Sequence, residues 1–435
     1  MNNVVAELRS KRIVVLGLGL TGMSFVRFLT NEALNFSVND SRVNHPQFEQ
    51  FINDYPEQEL STGHWNASLI GSADVLLVSP GVDITLPIIA DNISEGCDVM
   101  GDVELYARIT NSSIPTVAIT GSNGKSTVVN LIAHIGQKLG INTQLGGNVG
   151  VPVLDTLASE PDLLVLELSS FQLETLYNLD ARVSCILNIS DDHLDRHKTL
   201  ANYQSLKQKI YQFADIAVYN REDALTVPSN TCDALISFGT DAPLANIQDY
   251  GLIDSDKGLS LAKGIQALLP LNELPIAGVH NATNCLVALA VGENLGWPMD
   301  KMIEALVSFK GLAHRFEAVA SNDDIFWIND SKATNVGATV AAIHGLLPTL
   351  KNTQKLILIA GGDGKGADFS TLKPMLEQHV DVLITLGKDA EQLNALTTMA
   401  EQVSSIQQAV ALARTKADKG DVVLLSPACA SIDMF

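Results

Sequence analysis

Short runs rich in Val, Ile and Leu recur along the chain and are separated by longer segments with helical periodicity. They include RIVVLGL, DVLLVSP, TVAITG, LLVLEL, SCILNIS, LILIAGG, VLITLG and DVVLLSP. Strands that are buried on both faces carry continuous apolar runs of this kind, whereas strands of a half-exposed sheet alternate apolar and polar residues. The pattern predicts an α/β protein whose mostly parallel sheets are covered by helices on both faces.

The length of the chain, 435 residues, exceeds what one ordinary hydrophobic core supports, so we expect about three domains. A helical stretch, GDVELYARIT, gives way to a polar loop before TVAITG. The segment FKGLAHRFE separates another helix from the strand predicted in DIFWINDSK. The predicted domains comprise residues 1–103, 104–311 and 312–435.

Charge and composition exclude several classes of protein. A formal net charge of −21 argues against nucleic acid or an anionic membrane as partner, because such partners require surplus Lys and Arg. No apolar run approaches the roughly 20 residues of a membrane span, and the first residues show no signal-peptide cleavage pattern. We therefore expect a cytoplasmic protein. The five cysteines lie far apart, without a CxxC pair, and are expected to be small buried residues rather than disulfide or zinc ligands.

A glycine-rich turn follows the first predicted strand. The motif GLGLTG places Gly17, Gly19 and Gly22 directly after RIVVL, and Asp40 ends the next predicted strand, FSVND. Such glycines let a strand turn into a helix whose N–H groups face a pyrophosphate. Taken alone, the motif fits an NAD-dependent oxidoreductase, another ligand with a diphosphate and a ribose, or a purely structural turn.

A second glycine-rich turn, in TVAITGSNGKST, predicts a phosphate-binding loop. An apolar strand leads into the turn, and Lys125 and Ser126 open a predicted helix. The motif departs from GxxxxGK[ST], because Ile119 stands where the first glycine would fall. The loop can still bind phosphate after this change. Its backbone N–H groups can surround phosphate oxygens, Lys125 can offset their charge and Ser126 can ligate magnesium.

Candidate catalytic and metal-binding residues come after this loop. Glu167 ends LLVLEL, a position from which a carboxylate can complete a magnesium shell. The segment SDDHLDRH holds Asp191, Asp192 and His193, and the next predicted helix carries Lys207. Each has a plainer alternative: a carboxylate at a strand end is often solvated, adjacent aspartates often cap a helix, and a lone His or Lys is often at the surface.

The chain contains, in the order found in the Mur ligase family, the motifs TGSNGKST, GGNVG, ELSSFQLE, NISDDHLDRH, HNATN, AHRFE, NDSKATN, GGDGKGADFS and SPACAS. On these motifs, which span nearly the whole sequence, the chain resembles a Mur ligase. The resemblance implies an N-terminal Rossmann-like domain that binds a UDP-linked substrate. It also implies a central ATPase-like domain with the phosphate loop and a C-terminal Rossmann-like domain that binds an amino acid.

Within the family, NDSKATN, GGDGKGADF and SPACAS look most like the member that adds D-glutamate to UDP-N-acetylmuramoyl-L-alanine in peptidoglycan synthesis. The Asp-Asn-Pro-Arg motif of the diaminopimelate-adding relative is absent. The implied reaction forms an acyl phosphate from ATP. The alternatives are a ligase like folylpolyglutamate synthetase and, outside the family, a nucleotide-binding NTPase module.

The resemblance assigns residues of each domain to a part of the reaction. The UDP-linked substrate would contact Leu20, Thr21, Asp40, Ser41, Arg42, Ser79, Pro80, Gly81 and Asn148. ATP would contact Gly121, Ser122, Asn123, Gly124, Lys125, Ser126, Thr127, Asn281, Asn284, Arg315, Asp330 and Lys332. The two carboxylates of D-glutamate would contact Thr334, Lys365 and Ser431.

The resemblance also implies two magnesium ions. Ser126 and Glu167 would hold one ion, and His193 and Lys207 the other. Lys207 would do so as a carbamate, because a protonated ammonium cannot ligate a metal. Lys125, His193 and Lys207 are the implied catalytic residues.

We expect a monomer with no nucleic acid or membrane partner. Family members usually continue beyond SPACASIDMF with an aromatic residue near the glutamate side chain, so we expect the acceptor pocket to lack that contact.

Overall fold

The computed structural model describes residues 2–110, 113–230, 232–243, 248–274, 276, 278–319, 321, 323–347, 350–351 and 353–431. Within these ranges three separate sheets follow one another along the chain. No described helix combines the length and the apolar character that a membrane crossing needs.

The first sheet consists of five parallel strands: β1 (Ile13–Leu16), β2 (Phe36–Asp40), β3 (Glu59–Thr62), β4 (Val75–Val78) and β5 (Asp98–Met100). Their order is β3-β2-β1-β4-β5, so the order reverses beside β1. Ligands of open α/β sheets bind at the carboxyl ends of strands at such a point. The helices of this part are α1 (Asn2–Leu8), α2 (Leu20–Asn31), α3 (Pro46–Asp54), α4 (Ala67–Ser72), α5 (Pro87–Ala90) and α6 (Asp102–Thr110).

The second sheet has nine strands: β6 (Thr116–Thr120), β7 (Thr143–Gly147), β8 (Leu163–Glu167), β9 (Ala181–Ile186), β10 (Ala214–Asn220), β11 (Ala234–Phe238), β12 (Tyr250–Ser255), β13 (Gly258–Lys263) and β14 (Gln266–Pro270). The order is β14-β13-β12-β11-β10-β9-β6-β8-β7, parallel except for the antiparallel pairings of β13 with β12 and β14. Its helices are α7 (Lys125–Lys138), α8 (Ser170–Glu174), α9 (Leu194–His197), α10 (Leu200–Gln208), α11 (Val279–Asn294) and α12 (Met299–Val307).

The third sheet has six strands: β15 (Glu317–Val319), β16 (Phe326–Asn329), β17 (Leu356–Gly361), β18 (Val382–Leu386), β19 (Ala400–Gln402) and β20 (Val422–Leu425). The order is β15-β16-β20-β17-β18-β19, and only the β15–β16 pairing is antiparallel among those described. Its helices are α13 (Val336–Leu346), α14 (Lys373–His379), α15 (Ala390–Asn394) and α16 (Ile406–Lys416). Short 3-10 helices cover Val153–Ala158, Lys209–Phe213, Ala224–Thr226, Leu271–Glu273 and Phe369–Leu372.

The hydrophobic clusters do not correspond one to one with the three sheets. One continuous cluster joins the first sheet to the second, because Leu105 and Ile109 of α6 pack in the same cluster as Val153 and Leu154. The third sheet has its own clusters. Burial of each such Leu, Ile or Val stabilises the fold by about 1.5–3 kcal/mol. The first two sheets therefore share a core that the third does not.

The predicted domain boundaries fall at different kinds of place in the fold. Residue 103 lies inside α6, while residue 311 follows the end of α12 at Val307. The boundaries themselves stay predictions, although each predicted segment contains one of the three sheets.

The prediction that every cysteine is buried is wrong for two of the five. Cys185, Cys285 and Cys429 are buried, whereas Cys97 and Cys232 are half-buried. Cys97 directly precedes the edge strand β5, and Cys232 lies just before β11, so each packs at the margin of a core. None of the five cysteines forms a disulfide.

Candidate active site

The phosphate loop connects β6 to α7, and the predicted strand, turn and helix are all present. Gly124 has a φ of 85°, and a Cβ at this position would lie 2.7 Å from Oδ1 of Asn284. Only glycine fits such a site. The first N–H groups of α7 and the positive end of its dipole face the turn. Nζ of Lys125 donates to the carbonyl oxygens of Gly121 (2.7 Å) and Ser122 (2.8 Å), so the ammonium lies within the loop.

A cavity of about 540 Å³, here called the central cavity, opens in front of this loop. Burial lowers the pKa of Lys125, and the nearby cations of Arg315 and Lys365 lower it further, while Glu167 and Asp192 oppose them. The second and third sheets both contribute side chains to the cavity. The predicted site residues that line it are Ser122, Asn123, Gly124, Lys125, Ser126, Asn148, Glu167, His193, Arg315, Lys332 and Thr334.

Glu167 lies at the end of β8 and is 2% exposed. Its Oε1 accepts a hydrogen bond from Nδ2 of Asn148 at 2.8 Å. Its Oε2 is buried and has no hydrogen-bond partner among the described residues. A buried polar atom without a partner costs free energy, and a bound cation would remove that cost. Glu167 is therefore not a solvated residue at a strand end.

Lys207 lies in α10 directly beneath the phosphate loop and is 1% exposed. Its Nζ donates to the carbonyl of Gly121 (3.0 Å) and to Oγ1 of Thr120 (3.2 Å), and it lies 4.5 Å from the ring centroid of Tyr203. Burial lowers the pKa of Lys207 well below its usual value, and the charge of Lys125 lowers it further. The alternative of a solvated surface lysine is therefore wrong.

His193 follows β9 with a φ of 53°, and its ring meets Phe171 edge-to-face at a centroid distance of 5.0 Å. Burial lowers the pKa of His193, although Asp192 opposes this effect. The alternative that Asp191 and Asp192 cap the next helix is also wrong. The N-cap residue of α9 is His193 itself, and it makes no side-chain cap bond.

The third sheet contacts the phosphate loop directly. Nη2 of Arg315 donates to Oγ of Ser126 at 2.8 Å. The side-chain amides of Asn123 and Asn335 pair reciprocally, at 3.1 and 2.9 Å. Charged and paired hydrogen bonds of this kind are stronger than single neutral ones. The segments around residues 123 and 335 are therefore held together across the central cavity.

A second cavity of about 400 Å³ shares Asn123 and Gly124 of the loop with the central cavity and is called the base cavity after the nucleotide base predicted to bind there. Asp330 accepts hydrogen bonds there from N of Phe316 (3.2 Å) and Oγ of Ser426 (3.0 Å). Burial raises the pKa of Asp330 to about 6. The predicted ATP contacts that line this cavity are Asn123, Gly124, Thr127, Asn281, Asn284, Arg315, Asp330 and Lys332.

A third cavity of about 540 Å³ lies at the carboxyl ends of β1, β2 and β4 and is called the UDP cavity after the ligand that the sequence predicts for it. Burial alone would raise the pKa of Asp40, but hydrogen bonds from the Arg42 side chain and from N of Leu18 lower it overall. Nε of Arg42 donates to Oδ1 of Asp40 at 2.9 Å, which fixes the guanidinium at the rim. All predicted contacts of the UDP-linked substrate line this cavity: Leu20, Thr21, Asp40, Ser41, Arg42, Ser79, Pro80, Gly81 and Asn148.

The three predicted D-glutamate contacts are only partly brought together. Thr334 lines the central cavity. Lys365 reaches its edge through an ion pair with Asp192, with Nζ 2.5 Å from Oδ1. Ser431 is exposed and follows Ala430, whose backbone pairs with that of Asp363. The structure does not place Ser431 in the central cavity.

Several residues at these cavities were not predicted. Asn335 joins the third sheet to the phosphate loop, and Tyr203 lies over the Lys207 ammonium. Trp65 and Gln172 line the UDP cavity. Asn335 belongs to the quoted motif NDSKATN, which could have suggested it, and Trp65 closely follows β3, so its position near a strand end could have suggested it.

Comparison with known families and proteins agrees with this geometry. The Mur ligase MurD-like N-terminal domain matches residues 11–101, the Mur ligase middle domain residues 119–292, and the Mur ligase glutamate ligase domain residues 314–429. A UDP-N-acetylmuramoylalanine–D-glutamate ligase of Colwellia psychrerythraea is 51% identical over 444 residues, covering 98% of this chain and 94% of that protein. The ligase of the same name from Acinetobacter baylyi is 45% identical over 430 residues, covering 97% and 94%.

Solved structures share the fold at lower sequence identity. MurF from Acinetobacter baumannii superposes with a TM-score of 0.61 at 17% identity, covering 98% of this chain and 94% of that one. A pseudomurein peptide ligase type C from Methanothermus fervidus gives 0.60 at 20% identity, covering 95% and 96%. These likenesses confirm the predicted three-part α/β architecture. The matched domains and the near full-length relatives show that the chain belongs to the Mur ligase family.

Proposed function

We propose that this chain is an ATP-dependent ligase that joins D-glutamate to the L-alanine carboxylate of UDP-N-acetylmuramoyl-L-alanine, releasing ADP and phosphate. The observation that carries the proposal is the arrangement of the three cavities. The UDP cavity and the central cavity meet at Asn148, which lines both, and the central and base cavities share Arg315. A donor held at its UDP end can therefore present its other end to a nucleotide on the phosphate loop. The names of the near full-length relatives support this choice of substrates.

The UDP cavity supplies groups that suit a uridine diphosphate. The glycine turn that ends in α2 offers backbone N–H groups to the diphosphate, and Arg42 adds a cation at the rim. Asp40 stays ionised because its hydrogen bonds lower its pKa, so it can accept from a ribose hydroxyl or a base N–H. Asn148, bonded to Glu167, would lie against the sugar-lactyl end.

The base cavity and the phosphate loop suit ATP. Asn281 and Asn284 present amides for the adenine edge, and Asp330 and Lys332 come from the third sheet to the ribose and phosphates. Lys125 and Arg315 both line the central cavity, and Arg315 contacts the loop at Oγ of Ser126. Two cations beside the transferred phosphoryl group stabilise its charge in the transition state.

The residues present fit magnesium. Oε2 of Glu167 is buried and has no hydrogen-bond partner among the described residues. Ser126 lines the same cavity, and its Oγ, which accepts from Arg315, keeps a second lone pair, so the two side chains can offer oxygen ligands to one ion. His193 lines the cavity as well, and we propose that it and Lys207 hold a second ion. When bound, magnesium would neutralise phosphate charge and polarise the γ-phosphoryl group.

Lys207 fits a carbamate better than an ordinary ammonium. Carbamate formation requires a neutral amine, and burial together with Lys125 favours that form by lowering the pKa of Lys207. The N-carboxylated side chain would present oxygen ligands beside the phosphate loop, where Nζ now lies 3.0 Å from the carbonyl of Gly121. The buried position also shields such a group from bulk water.

The reaction divides into two steps on this geometry. The L-alanine carboxylate attacks the γ-phosphorus of ATP, the bond to ADP breaks, and Lys125 and Arg315 offset the moving charge. The neutral amine of D-glutamate then attacks the acyl carbon, phosphate leaves, and the amide forms. The amine proton needs an acceptor, and the imidazole of His193, whose pKa is lowered by burial, can take it only when it does not ligate the second ion. Closure of the third sheet over the cavity excludes water from the acyl phosphate.

The test is an acceptor panel with phosphate release as readout. Wild-type protein with ATP and magnesium should release phosphate only when UDP-N-acetylmuramoyl-L-alanine and D-glutamate are both present, with ADP and the amide product in equal amounts. Lys125→Ala should abolish turnover, whereas Lys138→Ala, an exposed lysine of the same helix, should not change it. Equal ATP turnover without either substrate would identify an NTPase module instead. Product from L-glutamate and a folate acceptor would identify a folylpolyglutamate synthetase-like ligase.

A further inference from the structure

The carboxylate of Asp192 lies where the proposed acceptor carboxylate is expected. Its Oδ1 is 2.5 Å from Nζ of Lys365, and its Oδ2 accepts from Nδ2 of Asn335 at 3.4 Å. Asn335 directly follows Thr334. Of the proposed D-glutamate contacts, Thr334 lines the central cavity, and Lys365 reaches its edge through the ion pair with Asp192. An internal carboxylate therefore lies between the cation and the segment assigned to the substrate.

The ion pair is shielded from water. The side chains of Asp192 and Lys365 are 9% and 13% exposed. The carboxylate of Asp192 and the ammonium of Lys365 form an ion pair, with Nζ and Oδ1 2.5 Å apart. Two carboxylates cannot share one buried ammonium without mutual repulsion. A substrate carboxylate must therefore displace Asp192 from Lys365 or be repelled by it.

We propose that Asp192 is a substrate-displaced gate of the acceptor site: it holds Lys365 while the site is empty, and a carboxylate of D-glutamate replaces it on binding. The inference rests on the proposed function, since it assigns Lys365 to the acceptor. The exchange makes no covalent change and moves one ion pair. Asp192 also joins the second sheet to the third in the empty state, because Lys365 belongs to the turn after β17.

The gate predicts the direction in which the KM for D-glutamate changes when Asp192 is replaced. Removing the charge of Asp192 destabilises the empty state, which loses its ion pair, and relieves repulsion in the occupied state. Both changes strengthen acceptor binding. We expect Asp192→Asn to lower the KM for D-glutamate by about 3- to 10-fold, the range for one competing ion pair, and to leave the KM for ATP within about twofold.

The matched control is Asp191→Asn. Asp191 is the exposed neighbour, so its substitution changes the net charge of the same loop equally without touching Lys365. It should change neither KM. A merely structural role for Asp192 would lower kcat or raise both KM values in its variant, and would not lower the KM for D-glutamate alone.

If the Asp192→Asn variant turns over too slowly for steady-state kinetics, its affinity for D-glutamate is measured directly. Isothermal titration of D-glutamate into protein loaded with a non-hydrolysable ATP analogue and UDP-N-acetylmuramoyl-L-alanine should give a Kd about 3- to 10-fold lower for Asp192→Asn than for wild type. An equal or higher Kd, or an equal or higher KM, overturns the gate and would instead make Asp192 a partner of the D-glutamate ammonium. If wild-type protein shows no D-glutamate-dependent phosphate release, the proposed function has failed, independently of Asp192.

Discussion

Asp330 offers a test of the electrostatics of the base cavity, because its ionised carboxylate lowers the stability of the folded protein there. Burial raises its pKa to about 6 from an ordinary 3.8, so the folded protein pays for ionising this carboxylate at neutral pH. The difference corresponds to about 3 kcal/mol if it is taken in full. Because the side chain of Asp330 is partly exposed to solvent, we discount this value. We expect its ionised carboxylate to lower the free energy of unfolding by about 1–2 kcal/mol at about pH 8.

The perturbation is Asp330→Asn, which keeps the shape of the side chain. Oδ1 of Asn can accept from N of Phe316, and Nδ2 can donate to Oγ of Ser426, so both present contacts have a counterpart. The pKa of Asp330 is raised in the folded state, so its protonated carboxyl contributes fully to the free energy of unfolding at pH values below the unfolded pKa. This contribution is lost as pH rises through about 6. Asn does not ionise, so the variant escapes that loss.

Thermal unfolding followed by calorimetry at about pH 8 and about pH 4.5 measures the effect. The variant should be more stable than wild type at the higher pH, and the gain should shrink at the lower one, while its KM for ATP should rise because the ribose contact is altered. Asp421→Asn is the control: Asp421 accepts from N of both Lys355 and Asp418, so that variant should lose stability. An Asp330→Asn variant that is no more stable at the higher pH, or equally stabilised at both, refutes the reasoning.

Three further predictions concern the cavities. Lys207→Ala should abolish ligase activity, and short carboxylic acids in the assay should restore part of it; unchanged turnover in this variant would rule out the carbamate. Arg315→Ala should lower kcat/KM for ATP by about 100-fold or more, whereas Arg182→Ala, an exposed arginine, should not change it in steady-state kinetics. Gly22→Ala would place a Cβ 2.0 Å from a carbonyl oxygen of the glycine turn, so the KM for the UDP-linked substrate should rise about tenfold. Gly71→Ala, in α4 and outside the UDP cavity, would place its Cβ 3.4 Å from the nearest atom and should not raise that KM.

The buried parallel strands were predictable because they are continuous apolar runs. RIVVL, TVAIT, LLVLE and VVLL each supply a strand of the structure. The antiparallel strands β13 and β14 were not predicted, because their segments, GLSLAK and QALLP, are short and partly polar and because β14 lies at the edge of the sheet. Edge strands pair on one side only, so less of their sequence is constrained by burial.

The site was predictable where one motif carries both structure and chemistry, as in the phosphate loop. Contacts between distant motifs were not. Nothing in NISDDHLDRH or GGDGKGADFS shows that Asp192 would meet Lys365, because that contact depends on how the third sheet sits against the second. The burial of Lys207 was equally hidden, since a lysine in a helix of low amphipathicity is ordinarily at the surface.

The firm attachment of the first sheet to the second has a consequence for which donors can react. The guanidinium of Arg27 in α2 holds Asp155 with two hydrogen bonds, at 3.1 and 2.6 Å. The carboxylate of Glu104 in α6 accepts from the backbone N–H groups of Tyr177 and Asn178. These clamps, with the shared core, fix the distance from the glycine turn to Lys125. The two sheets thus hold the uridine end of the donor at a fixed distance from the phosphate loop. A nucleotide sugar that is one amino-acid residue too short or too long would place its carboxylate away from the γ-phosphate, however well its uridine is bound.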